Sequence, residues 1–368
     1  MQSWKLEAGS WELFMSRRWR VGILGLGHWY SAYTMARSLT EYPRAELVAA
    51  AWPDARQLDA FTSTFGVRGY SSYAELLARE DVDIVHLATP VSELAELAIA
   101  SARAGKHILL GKPMAMNVEQ ADRIVDGIEA AGVTCVPYSG LTRLRMTDLK
   151  ARIEAGEIGD VVVMHQTCRW AIAEDWHSSG TPGWFADPRH VPGGALIDEG
   201  IYWIELFEWI AGSPIVRVEA KVANLVHKDI EVEDWGMATF TCGNGVIATL
   251  EASWTINSPR KTGPSPKQNS VIRLELLGTR GEIIDQWFRS PGRAVLAAGA
   301  ADWIFERQPE QKFSGTFPLA LDHLVECLDN NRKPDVTIRQ ARSAFRAAMA
   351  AYESAREGKP VAVREARG

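Results

Sequence analysis

Cysteine is scarce in this chain, with four in 368 residues. Cys135, Cys168, Cys242 and Cys327 include no CxxC pair. That spacing excludes a disulfide-stapled scaffold and a cysteine zinc site, and predicts buried, reduced thiols in a cytoplasmic protein. His177 and His190 are not at zinc-binding spacing, and no cysteine or acid completes a set with them, so no metal is expected. Basic residues form no stripe interleaved with aromatics, and the formal net charge is -6. A nucleic-acid polyanion is therefore not the expected partner. Long apolar runs are missing as well. Charged residues interrupt every stretch that approaches bilayer-spanning length, and Met1 to Arg18 lack the apolar centre of a signal peptide. The expectation is a water-soluble chain with no membrane partner.

What the chain has is length, tryptophan, and glycine in particular places. Its 368 residues exceed one ordinary core. The segment pattern divides them into an N-terminal extension over 1–17, a first domain over 18–138 and a second over 139–368, whose last helices return to the first. Fourteen tryptophans are more than packing requires and predict a surface that binds something. Trp19-Arg20-Val21-Gly22-Ile23-Leu24 reads as a parallel strand. It stops at Gly25-Leu26-Gly27-His28-Trp29-Tyr30, a dinucleotide fingerprint with Tyr30 in place of the third small residue. Gly25 permits a tight turn, and Gly27 lets the backbone approach a pyrophosphate at a helix N-terminus. Tyr30 is compatible with that motif if its ring turns away from the helix–sheet contact.

Helix and strand patterns then alternate. Helices over Ser31–Thr40, Asp54–Phe65, Ser92–Ala104 and Val118–Ala131 separate strands over Ala45–Trp52, Val67–Tyr70, Asp83–Thr89, His107–Leu110 and Val133–Val136. This order predicts a parallel sheet with right-handed crossovers, the context the glycine motif requires. Ligands of such sheets lie outside the C-terminal strand ends. Those ends carry Gly25, Leu26, Gly27, His28 and Trp29, then Trp52 and Asp54, then Ala88, Thr89 and Pro90, then Gly111 and Lys112. Trp52 is placed to lie on an adenine and Asp54 to reach a ribose. With no base directly after the second strand, NAD is expected over NADP, and Arg56 is the nearby candidate for a 2′-phosphate.

Lys112 follows a buried strand at this edge, with Pro113 fixing the backbone after it. An ammonium there can hydrogen-bond a substrate hydroxyl and stabilise a developing alkoxide; the alternative is an ordinary solvated lysine. Within Gly193 to Leu206, Asp198 and Tyr202 are four apart, so a helix places them on one face, about 6 Å apart along its axis. Asp198 can orient a hydroxyl and Tyr202 can relay a proton, while the alternative for Tyr202 is plain packing. Glu205 joins the same broad face, and Gly193 and Gly194 permit close approach by another segment or a ligand. Residues 170–192 read as an aromatic and polar loop able to stack on a sugar ring and satisfy its hydroxyls. Arg169, Trp176, His177 and Trp184 are the substrate contacts expected from this region, with His323 an outlying candidate. Later strands are expected over 216–226, 235–241, 245–254, 271–277 and 281–287, and helices over Leu141–Gly156, 319–330 and 337–357. Pro259–Gln268 reads as a surface loop or intersubunit arm.

As a spaced set, several motifs resemble the glucose–fructose oxidoreductase, inositol dehydrogenase and rhizopine catabolism family. They are Gly25-x-Gly27, Ala88-Thr89-Pro90, Ala104-Gly105-Lys106-His107, Lys112-Pro113, Gly156-Glu157-Ile158-Gly159 and Gly193-Gly194-Ala195-Leu196-Ile197-Asp198-x-Gly200-x-Tyr202. The resemblance runs from about Arg18 to the chain end. It implies an α/β chain: a Rossmann domain, then an α/β domain on a large open, mostly antiparallel sheet through which homodimers or homotetramers form. It also implies hydride transfer between NAD or NADP and a hydroxyl carbon of a small polyhydroxylated substrate, a monosaccharide or cyclic polyol. By the same resemblance Lys112 is the lysine of a Glu-Lys-Pro motif, Asp198 the substrate-positioning acid and Tyr202 the acid/base. Its phenol would then have to be lowered by Lys112 or the nicotinamide ring. Three departures stand out: Gly111 for the usual Glu, Val91 for a common Asn, and Glu93-Leu94 in the customary His region. The other readings are a dihydrodiol or aldehyde oxidoreductase, a sugar hydrolase that retains NAD, and a non-catalytic sugar sensor. A methyltransferase is disfavoured by Lys112 and the Asp198/Tyr202 pair.

Overall fold

Six short strands form a parallel sheet: β1 (Trp19–Leu24), β2 (Ala45–Ala51), β3 (Arg68–Tyr70), β4 (Ile84–Leu87), β5 (His107–Leu110) and β6 (Cys135–Pro137). The computed structural model describes residues 18–79, 81–172, 183–256, 270–287, 292–307 and 316–364. The N-terminal extension, Trp176, His177 and the Pro259–Gln268 segment lie outside the described residues. Sheet order is β3-β2-β1-β4-β5-β6, so the winding reverses between β1 and β4. A crevice opens at that point, beyond the ends of both strands. Helices α1 (Trp29–Glu41), α2 (Ala55–Phe65), α3 (Tyr73–Leu77), α4 (Val91–Arg103) and α5 (Val118–Ala131) connect the strands. The apolar run of β1 is explained by burial, since Val21, Ile23 and Leu24 are fully enclosed. Gly66 and Gly132 end α2 and α5 in the left-handed region, at φ 67° and 65°.

The second sheet has nine strands in the order β14-β13-β12-β11-β7-β10-β9-β8-β15. They are β7 (Val161–Arg169), β8 (Ile215–Ala223), β9 (Trp235–Cys242), β10 (Ile247–Ser253), β11 (Val271–Gly278), β12 (Glu282–Gln286), β13 (Gly292–Leu296), β14 (Ile304–Arg307) and β15 (Val361–Ala362). Every neighbouring pair is antiparallel except β7 with β10. The helix expected over Leu141–Gly156 is broken into α6 (Leu141–Arg145) and α7 (Thr147–Glu154). Met146 between them leaves the helical range, at φ -111° and ψ 23°. α8 (Ala195–Ala211), α9 (Thr316–Asp329) and α10 (Ile338–Glu357) complete the chain. α9 packs on α1, β5 and β6, while α10 lies on α5, α8 and β8. The buried row Ala341, Ala344, Ala348 and Ala351 lets α10 approach closely. Polar ties hold α9 in place: Trp19 donates to Asp329 at 2.7 Å and Tyr42 to Asp322 at 2.7 Å.

α8 crosses the inner face of the second sheet and is apolar on nearly every side, as a helix buried all round must be. Its N-terminus cannot reach water, so its orphan N–H groups need internal acceptors. Glu233 supplies them. Its carboxylate accepts from Gly194 N at 2.9 Å and Leu196 N at 3.0 Å, and its carbonyl accepts from Ala195 N at 3.0 Å. Tyr352 of α10 donates to Glu233 at 2.7 Å and accepts from Ile197 N at 3.2 Å. The paired glycines are explained by these contacts. A Cβ at Gly194 would stand 2.0 Å from Glu233 O, and one at Gly193 2.2 Å from the Tyr352 hydroxyl. Gly194→Ala is expected to cost about 1–3 kcal/mol through overpacking. Urea unfolding should show a lower midpoint with unchanged slope, and a wild-type midpoint would disprove the steric account.

Candidate active site

The turn after β1 is set by its neighbours. Gly25 has a φ of 96°, a conformation side chains disfavour. A Cβ there would lie 2.4 Å from Thr89 Cγ2, and one at Gly27 would lie 2.9 Å from Pro90 Cδ. The Ala88–Pro90 turn beyond β4 thus presses directly on the glycine turn. His28 N donates to Ala88 O at 2.9 Å, and α1 starts at the next residue. Ser31, Ala32 and Met35 form the buried face of α1. Tyr30 instead packs with its ring centroid 4.4 Å from His28 and 6.0 Å from Phe317 of α9. The tyrosine in the small-residue position is accommodated because it leaves the helix–sheet contact.

Beside this turn lies a cleft of about 680 Å³ bordered by Leu26, Gly27, Trp29, Trp52, Asp54 and Arg56, together with Tyr33, Arg37, Gln57 and Ala60. Trp52 Nε1 donates to Gln57 Oε1 at 2.9 Å. Asp54 accepts from Gln57 N at 2.8 Å, so one of its oxygens caps α2 while the residue borders the cleft. Arg37 was not foreseen from sequence, because it reaches the cleft from the middle of α1, far in sequence from the end of β2. The residues fit a dinucleotide. A cradle that a Cβ would fill sits at a helix N-terminus, and Thr89 Oγ1 is buried there without a partner among the described residues.

At the same sheet edge Lys112 reaches across to α8. Its Nζ donates to Asp198 Oδ1 at 2.6 Å and to Asp198 O at 2.7 Å. The two side chains are only 8% and 12% exposed, so this ion pair is buried. Lys112 Nζ also lies 5.1 Å from the centroid of the Tyr202 ring. Burial draws the Lys112 pKa down, but Asp198 and the neighbouring acids outweigh it and leave it well above the ordinary value. Two of the departures from the family pattern meet here. A Cβ at Gly111 would sit 3.2 Å from Leu94 Cδ1, so Leu94 occupies the space into which a longer residue 111 would project.

Tyr202 borders a small cavity of about 30 Å³, with Arg145, Cys168, Trp170, Glu199, Trp203 and Trp287 among its other walls. The phenol is not lowered, contrary to the requirement stated for an acid/base tyrosine. Burial pushes it up to about 12, and Asp198 and Glu199 add to that, against the opposing charge of Lys112. Glu199 and Arg145 were both missed in the sequence. An acid on a mostly apolar stretch of helix has to face something polar, and that was the available clue to Glu199.

Trp184 donates its Nε1 to Gly27 O at 2.9 Å and stacks on Phe185 at 3.9 Å, so it touches the glycine turn. Arg169 is corrected. On β7 it alternates with Cys168, which faces the cavity, and so points to the opposite face of the sheet, where it pairs with Glu251 at 3.0 Å. Glu205 faces Arg143 of α6 at 3.5 Å, not Lys112. His190 bonds the Ser92 hydroxyl at 2.9 Å, and His323 accepts from Asp335 N at 3.1 Å. All four cysteines are free and buried. Among the described residues no group of three His, Cys, Asp or Glu side chains could hold a metal, and no helix is long and apolar enough to cross a membrane.

A glycine turn at the switch point of a parallel sheet, with Lys112 of that sheet's edge meeting Asp198 and Tyr202 of a second α/β unit, defines a two-part dinucleotide-binding oxidoreductase. Residues 19–139 match the oxidoreductase family with an NAD-binding Rossmann fold, and residues 146–284 match the GFO/IDH/MocA C-terminal domain. The chain belongs to the GFO/IDH/MocA oxidoreductase family. It is 27% identical to scyllo-inositol 2-dehydrogenase (NAD(+)) of Bacillus subtilis over 94% of this chain and 97% of that one. A levoglucosan dehydrogenase bound to NADH and L-sorbose shares the fold at a TM-score of 0.82 and 21% identity, covering 95% of this chain and all of the other. An aldose-aldose oxidoreductase from Caulobacter crescentus, complexed with glycerol, does so at 0.76 and 24%, covering 94% and 100%. Trp184→Phe keeps the ring but loses the donor to Gly27. A hydrogen bond of about 0.5–1.5 kcal/mol predicts up to roughly tenfold weaker NADH binding, read by fluorescence titration, and unchanged affinity would remove Trp184 from the turn's support.

Proposed function

We propose that the protein is a dehydrogenase or reductase acting between a nicotinamide dinucleotide and a hydroxyl carbon of a monosaccharide or cyclic polyol. The observation that carries this reading is the buried Lys112–Asp198 pair, set over Tyr202 at the edge where the glycine turn opens. The names of relatives acting on scyllo-inositol and levoglucosan support the substrate class. When bound, the dinucleotide supplies a ring that accepts or donates hydride. Gly25, Leu26, Gly27, His28, Trp29 and Ala88–Pro90 would hold its phosphates, and Gly111 and Lys112 its nicotinamide end.

Lys112 gives two of its three N–H donors to Asp198, and the third stabilises the substrate oxygen as it gains negative charge. Asp198 fixes that ammonium and accepts from a neighbouring substrate hydroxyl. Tyr202, held as a neutral phenol, donates to the reacting oxygen and relays its proton. Trp176, His177 and Trp184 complete the expected substrate contacts. At the ribose end Trp52 and Asp54 support NAD, while Arg37 and Arg56 offer guanidinium groups to a 2′-phosphate. The domains are taken as 18–138 and 139–368 after an extension over 1–17, in a cytoplasmic protein. Assembly as a homodimer or homotetramer through the open face of the second sheet is supported by Met237, Ile247 and Leu277, which are exposed there at 47%, 43% and 40%.

Purified protein should change absorbance at the reduced-nicotinamide band with at least one of a panel of inositols, hexoses, pentoses and aldehydes, tested with NAD and NADP side by side. Lys112→Met is expected to lower kcat by about 10³-fold while NADH still binds; full activity would sink the mechanism. Tyr202→Phe should lower kcat by about 10²-fold or more, and an unchanged rate would remove it from the proton path. A tightly retained dinucleotide without net turnover would instead favour the NAD-retaining hydrolase.

A further inference from the structure

A second acid stands beside the ion pair, and the reaction proposed above gives it no part. Glu199 borders the small cavity together with Tyr202 and Arg145. Three residues apart on α8, Glu199 and Tyr202 occupy neighbouring positions on the helix surface. The groups already given a part in this site are committed elsewhere. Lys112 is already an ammonium, and Asp198 is held by it at 2.6 Å. Tyr202, a half-buried phenol held neutral, can receive a proton only as it gives one up.

We propose that Glu199 is the terminus of the proton path, its carboxylate taking the carbinol proton by way of the Tyr202 hydroxyl. The inference rests on the dehydrogenase reading. In the oxidation the carbinol C–H bond breaks and its electron pair leaves with the hydrogen, as hydride, to the oxidised dinucleotide which that activity supplies. The substrate O–H proton moves to the Tyr202 oxygen while the Tyr202 proton moves to a Glu199 oxygen. A carbonyl forms, and Glu199 becomes a neutral carboxylic acid; reduction reverses each transfer. Glu199 is faced by Asp198 and Tyr202 of α8, Lys112 beyond β5, Arg145 of α6, Cys168 of β7 and Tyr30 of α1. Burial first and the charge of Asp198 second push its carboxyl up to about 8, with Lys112 opposing. Oxidation uses the ionised form and so rises with pH through this ionisation, whereas reduction uses the protonated form and falls.

The test uses the full-length protein with scyllo-inositol and NAD. Wild type should show kcat for oxidation rising through an inflection above neutrality. Glu199→Gln should lose that inflection and about 100-fold in rate, with NADH affinity unchanged, and Glu199→Asp should recover the inflection. A Glu199→Gln variant with wild-type rate and profile overturns the proposal. Independently of turnover, carbon-13 NMR of glutamate-labelled protein, assigned by the signal missing in Glu199→Gln, should show this carboxyl titrating above the usual glutamate range. If wild type turns over neither this polyol nor any other of the panel, the dehydrogenase reading fails. A Glu199 carboxyl that stays ionised down to about pH 6 overturns the proton-terminus assignment in either case.

Discussion

The buried Lys112–Asp198 pair is the interaction on which the site depends, because it ties the edge of one sheet to the helix that crosses the other. A lysine removed from water is costly unless a carboxylate and further acceptors replace its hydration. Here the side chain and the backbone carbonyl of one residue do so together. That double contact demands a fixed α8 N-terminus, since a shift of one residue would rotate Asp198 by about 100° away from Lys112. Glu233 and Tyr352 supply that anchoring, and Gly193 and Gly194 make room for both. Residues far from the reacting atoms in sequence therefore determine where the ammonium points.

Much of this was legible in the sequence. The strand–helix alternation located the parallel sheet, and the strand from His107 to Leu110 and the helix from Val118 to Ala131 have the expected bounds. The four-residue spacing of Asp198 and Tyr202 predicted one face of a helix, and only the family resemblance put Lys112 in the same site. What was not legible depends on which face a side chain takes. Arg169 looked like a pocket residue until the pairing of β7 with β10 brought it within reach of Glu251 on the same face, and Glu205 lies on a flank of α8 that meets Arg143. Arg37 and Arg145 reach their sites through tertiary packing alone. β13, β14 and β15 are short strands whose pairing comes from the sheet they extend.

The unusual residues of the first domain are physically connected. Gly111 and Leu94 are separate oddities along the chain, yet in space they are one apolar contact beneath the Lys112 backbone. Restoring a long acid at 111 without shrinking residue 94 would overfill that space. Tyr30 follows a similar logic. An aromatic in place of a small residue is tolerated because α9 offers Phe317 as a packing partner. The ring's phenol then lies within the field of Lys112, Tyr202, Asp198 and Glu199.

Those substitutions bear on how charge is handled. With two acids, two tyrosines, one lysine and one arginine sharing a largely buried region, Lys112–Asp198 is an ion pair formed there, and a further charge meets the cost of burial. Tyr202 accordingly stays protonated, as does Tyr30, and neither phenol stores a proton vacancy. A carbinol oxidised at this edge must still lose a proton. Of the groups on the cavity wall, a carboxyl whose ionisation lies near physiological pH is the one that can both take that proton and release it afterwards. The same burial that holds the phenol neutral raises Glu199 into that range, so the partial burial that secures Lys112 on Asp198 also sets the direction in which a proton can leave.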